Sequence, residues 1–318
     1  MANDFSDLNL NVTNLNDNLI DQLVENAIKL GYDNLALSID FEFPNVASIK
    51  SKDQKKKESK PQLNIPTPKA YKLPPKIADR LNLLSKKINL FSRINIKIKP
   101  NDINTYLHHL KSKAVMNFDI IALEPVDSQV LLYLCSNNFN ADIISITSGI
   151  DCGLTDKHLT RPLNNAVSAF GLTFELNYSP SISSSTERRD FIMAGRCLTF
   201  NTKSKGLIIS SGASNSLNLR GPYELLNLVK LFDINERESH QIIRHTPHQV
   251  ITNSFCRKHT SAGMVYINDT NDLKKLGKAL VLYQEKLKQE KLNRETEKVN
   301  GNDQIENLQE SPKKKFKN

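Results

Sequence analysis

Five carboxylates stand in or beside strand-like runs of this 318-residue chain: Asp7, Asp40, Glu42, Glu124 and Glu175. The C-terminal ends of barrel strands are where α/β barrels keep their catalytic groups. Carboxylates converging there with imidazoles would hold divalent metals for phosphoester hydrolysis. Imidazole is scarce at those places. Of seven histidines, His108 and His109 are adjacent on a predicted helix, His158 is in a loop, and His240, His245, His248 and His259 fall in a helical C-terminal segment. The spacing His240-x4-His245-x2-His248 is not the i, i+4 pair of a metalloprotease helix. These residues read as surface or capping imidazoles. Ser210-Ser211-Gly212 follows a buried strand, but it is not a G-x-S-x-G elbow and has no nominated histidine.

Cations suggest a different chemistry, the binding of phosphates. Arg188-Arg189 falls in the first turn of a predicted helix. The helix dipole disfavours cations there, so an external anion is one reading and a surface pair the other. Lys203 and Lys205 extend the same patch. Arg161, held extended by Pro162 in a strand-to-helix loop, would face nucleic acid or lock a carboxylate such as Glu175. Ser211, Gly212 and the helix start Arg220-Gly221-Pro222 would bind a phosphate through backbone N–H groups and one guanidinium. Equally, Gly221-Pro222 only starts a helix and Arg220 pairs with Glu224. Glu175, inside an apolar strand, needs a buried partner of the arginine type; Glu175 and Tyr178 are read as structural.

The densest charge lies elsewhere. Residues 49–76 carry nine lysines, Lys55, Lys56 and Lys57 among them, against Asp53 and Glu58. Residues 269–318 carry twelve basic residues against nine acidic ones. The remainder, 22 basic to 23 acidic, is balanced, so the net charge of +9 sits on two appendages. There it would meet phosphates without straining a core; solvated linker is the other reading.

The elements that position these groups alternate. Strands are expected at Phe5–Leu10, Asn34–Phe41, Ile88–Ile98, Phe118–Leu123, Asp142–Thr147, Leu172–Tyr178 and Leu207–Ile209, with helices between them. Gly31 and Gly171 stop helices, Asp127 and Asn235 cap them, Ser183 to Ser185 cap another, and Gly221-Pro222 opens one. A helix is expected near Lys76–Lys87, another near Ile103–Ala114, a last strand at Gly263–Ile267 and a projecting helix from Asp272 to about Lys298. Residues 44–75 break the rhythm with a charge run and five prolines between Pro61 and Pro75. They read as an inserted extended arm with apolar pegs at Leu63, Ile65, Tyr71 and Leu73. Seven strands alternating with helices suit a (β/α) barrel or an open doubly wound sheet. The lack of a Gly-rich fingerprint after the first strand weakens dinucleotide binding.

An ordered set of short stretches carries a resemblance: Arg161-Pro162, Asn165-Ala166, Gly171, Phe174-Glu175-Leu176, Tyr178-Ser179-Pro180, Arg188-Arg189, Ile208 to Ser211 and Leu219-Arg220-Gly221-Pro222-Tyr223. Sparser matches fall at Asp7-Leu8-Asn9, Gly31-Tyr32, Phe118 to Ala122 and Asp142 to Ile146. This set resembles the 30-kilodalton protein subunit of nuclear and archaeal ribonuclease P, shared in eukaryotes with ribonuclease MRP. The resemblance implies a TIM-barrel-like α/β fold over residues 1–267, interrupted by 44–75, with 268–318 as a charged tail. It implies a non-catalytic subunit that docks a small α/β protein of the Pop-five family and braces an RNA. That RNA cleaves precursor tRNA with its own Mg²⁺, while the protein holds no cofactor. MRP would add precursor rRNA as a substrate, and the nucleus and nucleolus as the place of work. The family shares its fold with metal-dependent phosphoesterases that open with His-x-His on strand one. Here that place reads Asp7-Leu8-Asn9, so a degenerate phosphoesterase is the rival reading.

No run of eighteen apolar residues suggests a membrane span, and the acidic start MANDFSDLNL lacks a secretory h-region. Four scattered cysteines, without a CxxC, suit a reducing compartment. Ser311-Pro312-Lys313-Lys314-Lys315-Phe316-Lys317 resembles a short nuclear-import signal or an RNA-tethering tail.

Overall fold

Runs such as Ile-Ile-Ser-Ile and Leu-Ile-Ile-Ser have no polar face to give to water, so they belong in strands covered on both sides. The computed structural model describes residues 5–43, 65–68, 71–83, 87–100, 109–137, 139–146, 154 and 160–259. These lie in one compact unit, residues 1–262. Seven strands pair in parallel in chain order: β1 (Ser6–Asn11), β2 (Asn34–Glu42), β3 (Asn89–Ile98), β4 (Ile120–Pro125), β5 (Ile143–Ile146), β6 (Thr173–Asn177) and β7 (Leu207–Ser210). The shortest strands, β5 and β7, have four residues each and are buried from end to end.

The sheet curls into a nearly closed, TIM-barrel-like barrel. Leu10 bridges in parallel to Ala213, just past β7. Asn11 N–H donates to Ala213 O at 3.0 Å, and Gly212 N–H donates to Asn9 O at 2.9 Å. No eighth strand is present in the seam among the described residues. β1 shifts register between Asp7 and Leu10. The Asp7 side chain fills the gap, accepting the N–H groups of Asn9 at 3.2 Å and Ser211 at 3.1 Å.

Strand alternation separates two cores. Outward residues such as Leu35, Ile94, Ile96, Ile121, Ile144, Phe174 and Ile209 pack beneath the helices. A smaller cluster inside the barrel consists of Leu8, Ala36, Ile120, Ala122, Ile143 and Ile208, met by Val250. The outer helices are α1 (Asp17–Leu30), α2 (Pro75–Leu83), α3 (Lys113–Met116), α4 (Ser128–Ser136), α5 (Thr160–Phe170), α6 (Ser179–Ser183), α7 (Ser185–Thr202), α8 (Pro222–Val229), α9 (Glu236–His240) and α10 (Thr246–His259), with a π-helical turn at Gln241–His245. α10 covers the N-terminal mouth. Its Arg257 donates to Asp142 at 2.9 Å and to the Asp119 carbonyl at 2.8 Å.

The capping residues act as their types dictate. The Asp127 side chain accepts from Ser128 N–H, Ser184 from Glu187 N–H, and Asn235 forms a capping box with Glu238. Gly31 takes φ 102° after α1. Three expectations change. The helix expected to run to Ala114 is interrupted at 110–112 and restarts as α3, with Ser112 at its N-cap; 101–108 lie outside the described residues. The α5 helix begins at Thr160, so Arg161 is helical rather than extended. Proline tolerates a first-turn position because its missing N–H has no partner to lose there. Tyr178-Ser179-Pro180 also starts the short helix α6 before α7 begins. Ile65, Tyr71 and Leu73 pack against the barrel core, and the Tyr71 hydroxyl donates to Asp21. The strand expected at 263–267, the helix at 272–298, Leu63, Lys55, Lys56 and Lys57 lie outside the described residues.

Candidate functional site

Above the apolar layer the barrel interior turns polar, because the lumen-facing positions are Ser38 and Asp40 on β2, Arg93 and Asn95 on β3, Ser145 on β5, and Glu175 and Asn177 on β6. Arg93 and Glu175 are fully buried and form a two-pronged pair: Nη1 donates to Oε1 at 2.6 Å and Nη2 to Oε2. Arg93 also donates to Asn95 Oδ1 at 2.7 Å and to the Leu8 carbonyl at 2.6 Å. Asn9 joins the network, donating to Asn177 Oδ1 at 2.9 Å and accepting from the Ser38 hydroxyl at 2.6 Å. Asn95 and Asn11 both donate to Asp40, at 2.8 and 2.7 Å. A guanidinium stands where clustered metal ligands would need to converge, and these polar groups satisfy one another, while Ser210 Oγ on β7 is buried without a hydrogen-bond partner.

The carboxylates considered as catalytic candidates do not converge. Asp7 sits opposite Leu35, on the outer side of the seam. Burial pushes its carboxyl up to about 6, against the lowering pull of the Ser211 and Asn9 N–H groups. Its Oδ2 is buried without a hydrogen-bond partner. Glu42 pairs with Lys99, and Glu124 lies 4.0 Å from Lys97. Among the described residues no three His, Cys, Asp or Glu side chains come together as a metal site. The partner of Glu175 is Arg93, not Arg161. The sequence signal that identifies it is period two: Phe91, Arg93, Asn95 and Lys97 share one face of β3 while Ile94, Ile96 and Ile98 share the other.

The region considered for phosphate binding is already engaged. Ser211 N–H goes to Asp7, Gly212 N–H to Asn9, and Gly221 N–H to Glu224 Oε1 at 3.1 Å. The Arg220 guanidinium donates to the Leu217 and Leu219 carbonyls at 2.9 and 2.7 Å and lies 3.9 Å from Glu224. Its backbone is pinned on both sides: Arg220 N–H donates to the Tyr178 hydroxyl, and the Tyr32 hydroxyl donates to Arg220 O, each at 2.9 Å. Burial raises both phenols' pKa values further, so each stays protonated.

Arg188 and Arg189 part company. Arg188 folds back and donates to the Ser181 and Ile182 carbonyls at 3.0 and 3.2 Å, closing the end of α6. Arg188 and Arg220 flank a groove of about 350 Å³ whose walls include Ile192, Leu228 and Leu231. Arg161, Arg189, Lys203 and Lys205 are exposed. Lys203 caps α7 in a left-handed conformation, φ 53°. No helix among the described residues is long and apolar enough to cross a membrane.

The chain was compared with known proteins. The family model described as RNase P subunit p30 matches residues 4–259. A Mus musculus protein named ribonuclease P protein subunit p30 is 28% identical over 246 residues, covering 76% of this chain and 83% of the mouse protein. A Schizosaccharomyces pombe protein named probable ribonuclease P protein subunit 3 is 26% identical over 174 residues, covering 55% of this chain and 71% of that one. In fold, the chain is similar to one in the cryo-EM structure of archaeal ribonuclease P with mature tRNA. The TM-score is 0.52 at 14% identity, covering 83% of this chain and 98% of the other. With the family model spanning nearly all of the barrel, this chain belongs to the RNase P subunit p30 family.

Proposed function

We propose that this chain is a non-catalytic protein subunit of the ribonuclease P ribonucleoprotein. There it supports the RNA-catalysed 5′ maturation of precursor tRNA by bracing the RNA and docking partner subunits. Family membership supports the particle. The observation that carries the non-catalytic role is the Arg93–Glu175 pair, which fills the barrel centre with a neutralised, hydrogen-bonded network. An Arg at that centre repels a divalent cation, and Asp7, Asp40 and Glu124 point to separate partners. In this reading the protein holds no cofactor and the Mg²⁺ of the cleavage step belongs to the RNA.

The finer parts of the reading rest on the resemblance. They are the Pop-five-type protein as partner, a second role in ribonuclease MRP acting on precursor rRNA, and residence in the nucleus and nucleolus. The organisation into a 1–267 barrel with a 44–75 insertion and a 268–318 tail belongs with them. The lysines of residues 49–76, together with Arg161, Arg189, Lys203 and Lys205, are the cations this reading assigns to RNA. Contacts of that kind weaken steeply with salt.

The test is purification of the tagged chain from cells at moderate salt, followed by sequencing of bound RNA and assay of the eluate on precursor tRNA. The expected result is one or two structured RNAs and a cleavage activity that nuclease pretreatment destroys. Activity that survives nuclease would place the chemistry on the protein and revive the degenerate phosphoesterase.

A further inference from the structure

Helix α7 buries one face through Phe191, Ala194, Gly195, Leu198 and Thr202. Its opposite face carries Arg189, Met193, Arg196, Phe200 and, at the cap, Lys203. The intervals are 4, 3, 4 and 3, which at 3.6 residues per turn place all five in one narrow stripe about 21 Å long. The composition of that stripe is unusual for a solvent face. Phe200 is 82% exposed and Met193 37% exposed, while the cations alternate with them. Helix-surface economy does not account for an aromatic ring left in water at this site, since α7 already has its own buried face.

Arg189, Lys203 and Lys205 make no ion pair among the described residues. Arg196, within the stripe, is held by Asp233 at 3.1 Å and donates to the Leu231 carbonyl. Thr160, the neighbour of Arg161, donates to Asn201 at 2.9 Å and so brings the first turn of α5 to the Phe200 end. The turn that follows reinforces the geometry: Lys203 and Ser204 both adopt positive φ, presenting Lys203 and Lys205 at the helix end.

We infer that this face of α7 is a stacking platform for unpaired RNA nucleotides, with a base on Phe200 and phosphates along Arg189, Lys203 and Lys205. The inference deepens the subunit reading and rests on it. A ring interleaved with cations is the arrangement that recognises single strands, because every unstacked base has a π-face and a phosphate behind it. A duplex hides its bases and would use the cations alone. The charge complementarity selects RNA over an apolar protein helix, whose binding would leave three unpaired cations against a desolvated surface.

The chain contains no tryptophan, so Phe200→Trp installs a single reporter at the platform. The experiment uses the purified full chain, a labelled single-stranded oligouridylate, and an RNA duplex of equal length. The expected result is quenching of Trp emission by the single strand and little quenching by the duplex. Phe200→Ala should weaken single-strand binding about tenfold while leaving duplex binding within twofold, and Arg189→Ala with Lys203→Ala should weaken both. Phe200 is exposed, so these variants keep the fold, and unchanged melting curves establish that they do. Three results overturn the inference: emission that stays constant while RNA binds, equal losses for both probes with Phe200→Ala, or emission that moves with particle proteins instead of RNA. If the tagged chain still co-purifies with its RNA in those cases, the subunit reading stands and only the platform fails. Absence of any specific RNA in that pull-down removes both.

Discussion

Arg93 on β3 and Glu175 on β6 meet at the centre of the barrel with both side chains fully buried, and every donor direction of the Arg93 fork that the network uses is spoken for by Glu175, Asn95 or the Leu8 carbonyl. Two strands, β4 and β5, lie between theirs in the sheet, so the pair ties opposite walls of the lumen together. A buried pair of this sort gains little over a well-packed apolar pair, but losing one partner strands the other charge in a water-poor interior.

Glu175→Gln should therefore destabilise the chain by about 3–5 kcal/mol, measured by urea unfolding. Arg93→Met should cost a similar amount. The double substitution Arg93→Met with Glu175→Gln should cost much less than the sum, because no charge remains to be stranded. Additive losses would show that each residue acts through separate contacts.

Much of this was legible in the sequence. Seven strands, the caps at Asp127 and Asn235, and the Gly221-Pro222 helix start follow from local chemistry that tertiary contacts did not override. The need of Glu175 for a buried arginine was legible too, but not which arginine. Arg161 is marked by the proline beside it, whereas Arg93 is hidden in a run of isoleucines and becomes visible only when β3 is read with period two. The backbone N–H groups of Ser211, Gly212 and Gly221 illustrate the other limit. Their availability depends on Asp7, Asn9 and Glu224, and the first two lie about two hundred positions away in the chain. No local pattern carries a contact of that range.

Asp7 makes a prediction about pH. Its carboxyl is raised from 3.8 to about 6 by burial, so the folded chain binds a proton more tightly than the unfolded chain. The stability this contributes is fully present below the unfolded value near 4 and is lost as pH rises through about 6, an amount on the order of 3 kcal/mol. Asp7→Asn keeps an oxygen to accept the Asn9 and Ser211 N–H groups and never ionises. It should flatten that segment of the stability–pH curve and be more stable than the parent at pH 7.5. Denaturant midpoints taken between pH 4 and pH 7.5 would decide it; parallel curves for parent and variant would show that Asp7 does not titrate in this window.

Arg257 is the latch of α10. It holds Asp142, the residue before β5, and the Phe118 and Asp119 carbonyls ahead of β4. Burial raises the Asp142 carboxyl and the Arg257 charge lowers it. Arg257→Ala should leave the Asp142 carboxylate buried without its counter-ion, though still accepting the Ile121 N–H, at a cost of about 3–5 kcal/mol. Arg257→Lys should recover only part of that, since an ammonium cannot fork between a carboxylate and carbonyls. Hydrogen exchange should localise the change: faster exchange in α10 and at the N-terminal ends of β4 and β5, with β1 to β3 much less affected.

Gly195 tests how tightly α7 lies on the turn after α8. A Cβ built at Gly195 would stand 2.3 Å from Phe232 Cε1, and both groups are buried. The ring also packs on Phe191, with centroids 5.4 Å apart, so it has little room to retreat. Ordinarily Gly→Ala within a helix gains about 1 kcal/mol from propensity. Here the clash should reverse the sign and destabilise by about 1–3 kcal/mol. Phe232→Leu alone should also be destabilising, through lost packing. Combined with Gly195→Ala it should cost less than the two separately, because the smaller side chain vacates the space that the new methyl needs. Thermal melts of the four proteins in this cycle measure the coupling directly. A Gly195→Ala protein as stable as the parent would mean that α7 stands farther from Phe232 than the structure places it.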